Sequence, residues 1–156
     1  EYDLKDDGKD EIIKYECVDR KNSVAAIVYD PASEKYFFVR QFRVGAKKEL
    51  TELVAGMLDV ENESPESAII REIEEEIGFA VNTNSVRKLN AFYSSPGGFS
   101  ELMHLFYAEV SHRIHDGGGT GDENITIITM SKEEVINTPF EDAKTEVGRW
   151  MIAAGI

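Results

Sequence analysis

The sequence predicts an α/β (α+β) fold in which a mixed β-sheet is packed between helices. Two observations carry this. Short runs rich in Val, Ile, Phe and Tyr, bounded by turn residues, stand before and after one well-capped helix. Two further helical segments close the chain and supply cover for a second sheet face. At 156 residues and 42% hydrophobic, the chain is long enough for one domain, residues 1–156, with a sizeable core.

The elements follow in order. Residues 10–18 and 23–30 read as strands, with Asp19 to Asn22 as the turn between them, so that residues 1–22 hold the N-terminal strand region. Tyr36 to Phe42 forms a strand after the Asp30-Pro31 turn, and Leu50 to Ala55 a short one leading into Gly56. A helix over 64–77 follows. Ser64 is placed to cap it, Pro65 suits its first position, Glu66 lies in the first turn and Gly78 supplies the stop. Strands near 86–93, 102–110 and 124–130 come next, the first two separated by Ser94 to Ser100. Ser131 caps a helix running to about Asn137, and a last helix occupies Asp142 to Ala154.

The central helix ends in a charge pattern that ordinary helix physics disfavours. Arg71-Glu72-Ile73-Glu74-Glu75-Glu76-Ile77-Gly78 places four carboxylates in five positions at the negative end of the helix dipole, with Glu72 and Glu76 repelling at i,i+4. At about 100° per residue, Ile69, Ile70, Ile73 and Ile77 form one apolar stripe. Glu72 and Glu76 lie along one edge of it with Glu75 beside them, Arg71 a little further round and Glu74 on the opposite flank. Such a helix is either a solvated acidic face or a converging set of oxygen donors, the ligands taken by hard cations such as Mg²⁺ or Mn²⁺.

The flanking residues favour the second reading. Gly56, Glu63, Arg71, Glu72, Glu75, Glu76 and Gly78 resemble the Nudix box, whose pattern is a glycine, five residues, Glu, seven residues, then Arg-Glu-apolar-x-Glu-Glu-x-Gly-apolar. This chain departs from it once, with six residues between Gly56 and Glu63; the extra one falls before the helix and leaves the spacing among its acids intact. The resemblance spans residues 10–150. It implies a Nudix α/β/α sandwich with a catalytic loop-helix-loop, and two or three Mg²⁺ or Mn²⁺ ions held by Glu72, Glu75, Glu76 and the carbonyl of Ala55.

Three further segments resemble the branch of that family acting on ADP-ribose and nucleotide sugars, GDP-mannose among them. In Arg40-Gln41-Phe42-Arg43, alternation puts Gln41 and Arg43 on one face, and the resemblance makes Arg43 the diphosphate contact. Ser94-Ser95-Pro96-Gly97-Gly98-Phe99-Ser100-Glu101 reads locally as a turn; its likeness to the family's Ser-Pro-Gly-Gly loop implies substrate contacts from Ser95, Gly97, Gly98 and Glu101. The run from His115 to Asn124, with four glycines, reads as a mobile loop or flexible linker. The resemblance implies that Glu123 brings a further carboxylate over the metals, as ligand or general base. Where several relatives carry another Glu, two positions earlier, this chain has Gly121. The catalytic set implied is therefore Glu123, Glu76, Glu75 and Arg71, with proton abstraction open among Glu123, Asp122 and the helix acids.

Composition narrows the partners. A net charge of −13 argues against a nucleic-acid backbone or an anionic membrane, and requires metal ions or local arginines to invert the field for a diphosphate. One cysteine, Cys17, permits no intrachain disulfide and suits a reducing cytosol; in its strand-like stretch it reads as a small core hydrophobe. No apolar run approaches a membrane span, and the first residues resemble no signal peptide, which gives a cytoplasmic expectation. The resemblance implies a homodimer, with Tyr2, Tyr15 and Tyr29 as candidates for stacking on a base. His104 and His112 lack metal-site spacing and take no role. The expected reaction is metal-dependent cleavage of a nucleoside diphosphate sugar to a nucleoside monophosphate and a sugar phosphate. Hydrolysis of an NTP or dinucleoside polyphosphate, and a non-catalytic nucleotide sensor, stand as alternatives.

Overall fold

The computed structural model describes residues 16–120 and 124–156. Its strands are β1 (Ser23–Asp30), β2 (Lys35–Arg43), β3 (Lys48–Glu52), β4 (Val54–Met57), β5 (Phe79–Tyr93), β6 (Leu102–Arg113) and β7 (Thr126–Met130); its helices are α1 (Pro65–Ile77), α2 (Lys132–Asn137) and α3 (Ala143–Ala154). They build one mixed seven-stranded sheet in which β3, β2, β1, β6 and β5 lie in that order, while β4 also pairs with β1 and β7 with β2. The β1–β6 pairing is parallel, with Ser23 opposite Met103 and Tyr29 opposite Glu109; the other named pairings are antiparallel.

The layers follow from strand alternation. β1 is apolar on both faces, the composition of a strand covered from both sides. Val24, Ala26 and Val28 join Ala68, Ile69, Ile73 and Ile77 of α1 in one core. Ala25 and Ile27 join Leu53, Leu105, Val135 and Ile152 in a second core, beneath α2 and α3. The expected sandwich of helices about a mixed sheet is what forms.

The caps of α1 are as the sequence predicts. Ser64 accepts from the Ser67 amide, and Gly78 takes the left-handed conformation with its N–H on the Glu74 carbonyl. Its buried stripe is Ala68, Ile69, Ile73 and Ile77; Ile70 is only half-buried, because it lies towards the flank carrying Glu74. The remaining differences are local. The strand expected over 50–55 is broken at Leu53 into β3 and β4, which pair with different partners, β2 and β1. β5 begins at Phe79, directly after the helix stop, and runs against β6 with register shifts after Phe79, Asn82 and Lys88, so the 86–93 window covers only its second half. The strand expected over 124–130 begins at Thr126.

Near the N-terminus, positions 10–15 of the first expected strand lie outside the described residues, as do Tyr2 and Tyr15. The remainder contributes an isolated bridge between Val18 and Phe99. Cys17 is exposed and not a core hydrophobe: no sheet layer among the described residues covers it. Tyr29 packs against Tyr36, with ring centroids 4.9 Å apart.

The run expected as a mobile loop is instead docked over its described part. Gly118 and Gly119 donate backbone N–H groups to the Glu76 and Glu75 carbonyls (2.8 and 3.2 Å), and Ile114 donates to the Gly78 carbonyl (2.7 Å). These bonds satisfy carbonyls that a helix C-terminus leaves without partners. Gly117 has φ +69°, and a Cβ there would stand 2.6 Å from the Glu76 carbonyl oxygen, so only glycine permits the approach. The glycines that look like flexibility serve here as close packing on the acidic helix.

Candidate active site

The acids of α1 face a cavity of about 600 Å³ whose lining draws on β2, β3, β4, α1, the start of β6 and the N-terminus of α3. On the helix side, Arg71 is the organising residue. Its Nε and Nη2 donate to the two oxygens of Glu63, both at 3.0 Å, while Nη1 donates to Glu72 (2.7 Å) and Glu75 (3.2 Å). A guanidinium presents its donors in a planar fork, so one side chain serves three carboxylates. Hydrogen bonding to Glu63 raises the Arg71 pKa, and the same bond holds the Glu63 carboxyl below its usual range. The extra residue before Glu63 leaves it in contact with Arg71.

The sheet side is built by β4. A Cβ added to Gly56 would stand 2.0 Å from the Glu72 carboxyl carbon, so the Glu72 side chain lies directly against the strand backbone. Glu76, 3% exposed, accepts from the Ala55 amide at 3.3 Å. Glu72, Glu75, Glu76 and the Ala55 backbone thus converge on one wall of the cavity. Among the described residues no group of three or more His, Cys, Asp or Glu side chains is drawn together as a ready metal site. The donor set is all oxygen and open, which suits a hard cation that keeps several waters for a phosphate ligand.

Facing these acids are cations. Gln41 and Arg43 line the cavity, as alternation in β2 requires, while Arg40 is exposed with its Nε 3.4 Å from the Thr51 hydroxyl. Arg43 is forked onto Glu52 through Nε (2.5 Å) and Nη2 (2.8 Å). Arg20 lines the rim with Glu101, which accepts from the Ser23 hydroxyl at 2.6 Å and lies 3.5 Å from Arg20 Nη1.

The family model described as NUDIX domain matches residues 19–151, which include every one of these residues. The chain belongs to the Nudix hydrolase family. Among the curated relatives, a protein named GDP-mannose pyrophosphatase from Cronobacter sakazakii is 38% identical over 157 residues, covering 92% of this chain and 80% of the relative. Proteins of the same name from Shigella flexneri and Escherichia coli are each 39% identical over 151 residues, covering 91% of this chain and 73% of theirs.

Against this Nudix frame, Ala55, Arg71, Glu72, Glu75, Glu76, Arg43 and Glu101 all line the one cavity. Ser95, Gly97 and Gly98 do not. They form a turn in which Gly98 donates to the Ser95 carbonyl (3.2 Å) and accepts from the Val18 amide (2.8 Å), so the segment braces residues 18–20. Glu123, Asp122 and Gly121 lie outside the described residues; Thr120, just before them, lines the cavity. Sequence reasoning missed Arg20, Glu52, Asp142 and Lys144, which also line it. Arg20 sits in a turn that was visible, and Asp142 reads as the cap of α3. Nothing in local sequence brings Glu52 to Lys144, 92 positions away.

Proposed function

We propose that this Nudix hydrolase cleaves the diphosphate of a nucleoside diphosphate sugar, of GDP-mannose or ADP-ribose type, to a nucleoside monophosphate and a sugar phosphate. The observation that carries the reading is one cavity in which carboxylates ordered by Arg71 face the guanidinium of Arg43. The names of the relatives support a sugar nucleotide, GDP-mannose first. A cavity of about 600 Å³ falls in the range that takes a small ligand of this kind.

Glu72, Glu75, Glu76 and the Ala55 carbonyl would hold Mg²⁺ or Mn²⁺, two or three ions in our reading. When bound, the metal supplies charge neutralisation at the diphosphate and a water of lowered pKa. The chain's own residues do the rest. Arg71 keeps the carboxylates of Glu63, Glu72 and Glu75 apart and aimed, and Arg43 holds the anion through the guanidinium edge that Glu52 leaves free. Glu101 is proposed as a substrate contact on the rim; Ser95, Gly97 and Gly98, outside the cavity lining, are proposed to contact only a part of the substrate that extends beyond it. Glu123 is proposed to accept a proton or join the metal ligands. Homodimerisation and a cytoplasmic location belong to the same proposal; no helix among the described residues is long and apolar enough to cross a membrane.

The test is hydrolysis of GDP-mannose, ADP-ribose, UDP-glucose and the NTPs with and without Mg²⁺, with products separated by chromatography. Metal-dependent release of a nucleoside monophosphate from a sugar nucleotide is the expected result. Turnover confined to NTPs would overturn the substrate assignment, and tight binding of sugar nucleotides without turnover would overturn catalysis.

A further inference from the structure

We infer that Glu52 is a positioning residue of this site, fixing on one buried carboxylate the two cations, Arg43 and Lys144, that form the wall opposite the α1 acids. The inference rests on the reading of the cavity as a diphosphate site. Glu52 ends β3 and its side chain is 2% exposed. Its Oε1 accepts from Arg43 Nε, and its Oε2 from both Arg43 Nη2 and the Lys144 ammonium. Lys144 is paired in turn with Asp142, 3.0 Å away.

Two other roles for Glu52 fit poorly. A metal ligand needs an accessible lone pair facing the ion, whereas Glu52 is 2% exposed and already accepts three bonds from cations. A carboxylate also repels a diphosphate, and at 2% exposure the Glu52 side chain presents almost no surface to a sugar or base. Fastening β3 to α3 does not require it either. The Leu53 amide donates to the Thr145 hydroxyl (2.8 Å), and that hydroxyl donates to Asp142 (2.6 Å), which ties the β3–β4 junction to the start of α3 independently. A well-packed apolar side chain would fill the same space without the desolvation cost of a buried ion pair.

The exposures give the arrangement a direction. The Glu52 side chain is 2% exposed and that of Arg43 42%, so the negative end is sunk in the wall and the positive end presented. The fork consumes the Nε and inner Nη2 hydrogens of Arg43. Nη1 and the outer Nη2 hydrogen remain as a second edge, aligned by the first, for an incoming phosphate. A guanidinium held this way loses less side-chain freedom when the anion arrives, which lowers KM without requiring any change in the chemical step.

The experiment is a double-mutant cycle with GDP-mannose and Mg²⁺ on the full chain, reading kcat, KM and the melting temperature for wild type, Glu52→Gln, Arg43→Ala and the double variant. Losing one charged hydrogen bond predicts that Glu52→Gln raises KM about tenfold with kcat within about threefold. In the Arg43→Ala background the same change should move KM by less than about twofold, because the guanidinium is gone and Lys144 keeps its pairing with Asp142. Equal KM effects in both backgrounds, or an unchanged KM, overturn the inference while leaving the substrate reading in place. Absence of wild-type turnover removes that reading and the inference with it. If Glu52→Gln does not fold, Arg43→Lys on the half-exposed partner decides: it keeps the charge but cannot fork, and a wild-type KM there overturns the inference.

Discussion

Replacing Gly56 by alanine tests whether the Glu72 carboxylate is positioned by the strand backbone. The added Cβ would stand 2.0 Å from both the carboxyl carbon and Oε1 of Glu72, where an ordinary contact begins near 3.4 Å. The carboxyl group must therefore retreat by about 1.4 Å, the difference between those two distances. It is the far end of a flexible side chain, so the fold accommodates the move, with one cost: the 2.7 Å bond from Arg71 Nη1 is stretched or lost. A charged hydrogen bond in a partly buried setting is worth about 1.5–3 kcal/mol. In a chain of this length that lowers the melting temperature by roughly 3–10 °C. Catalysis should suffer more, since a misplacement of about 1 Å in a positioned group costs on the order of 10²-fold, or about 2.7 kcal/mol in the barrier. The assay is kcat/KM for GDP-mannose across a Mg²⁺ titration, beside thermal melts. A folded Gly56→Ala variant within a few-fold of wild type would refute the reasoning. So would an equally large loss when the substitution is added to Glu72→Gln, where the displaced carboxylate no longer exists.

Arg71→Ala should destabilise the chain by about 2–3 kcal/mol, below the value for a fully buried pair because the arginine is partly exposed, and millimolar Mg²⁺ should recover part of the lost melting temperature. Gly117→Ala forces a left-handed alanine against the Glu76 carbonyl; a loss of about 2 kcal/mol and faster amide hydrogen exchange at Gly118 and Gly119 are expected, with unchanged exchange as the refuting result. Acid stability provides the last test. Hydrogen bonds from Arg149, and from the Phe140 backbone, pull the Glu146 carboxyl from 4.5 down to about 2. A depressed carboxyl contributes fully above its unfolded value and loses that contribution as pH falls through the folded one. Stability should therefore decline between about pH 5 and 2, with a shallower acid limb in Glu146→Gln, measured by denaturant melts at each pH.

The helix of acids was legible because its information is local. Ser64, Pro65, the isoleucine stripe and Gly78 fix a helix by rules that act within four residues, and the carboxylates then fall on known faces of it. The same locality puts Arg43 and Gln41 on one face of β2 and Arg40 on the other, and it is the first face that lines the cavity. What escaped depends on partners far along the chain. Glu52 reads as an unremarkable residue inside a short strand until Lys144 is brought against it. The three glycines from Gly117 read as a linker because sequence shows their permissiveness and not the carbonyls of Glu75 and Glu76 that they cap. Cys17 failed for the opposite reason, in that a strand-like composition implied a neighbour that is absent among the described residues. Ser95, Gly97 and Gly98 were recognised as a turn, and as a turn they stand.

The parallel alignment of β1 with β6 has a consequence for how the protein is made. Residues that line the cavity run from Arg20 to Lys144, and the strands that bring Ser23 beside Met103 are separated by some eighty positions. Synthesis from the N-terminus delivers the acids of α1 long before the cations of α3. A nascent chain paused after residue 113 would hold the carboxylates without Lys144, so the finished balance of charge arises only when the final helix docks. A truncation before Asp142 should therefore accumulate as a poorly soluble product, not as a slower enzyme, as read from the soluble fraction on expression.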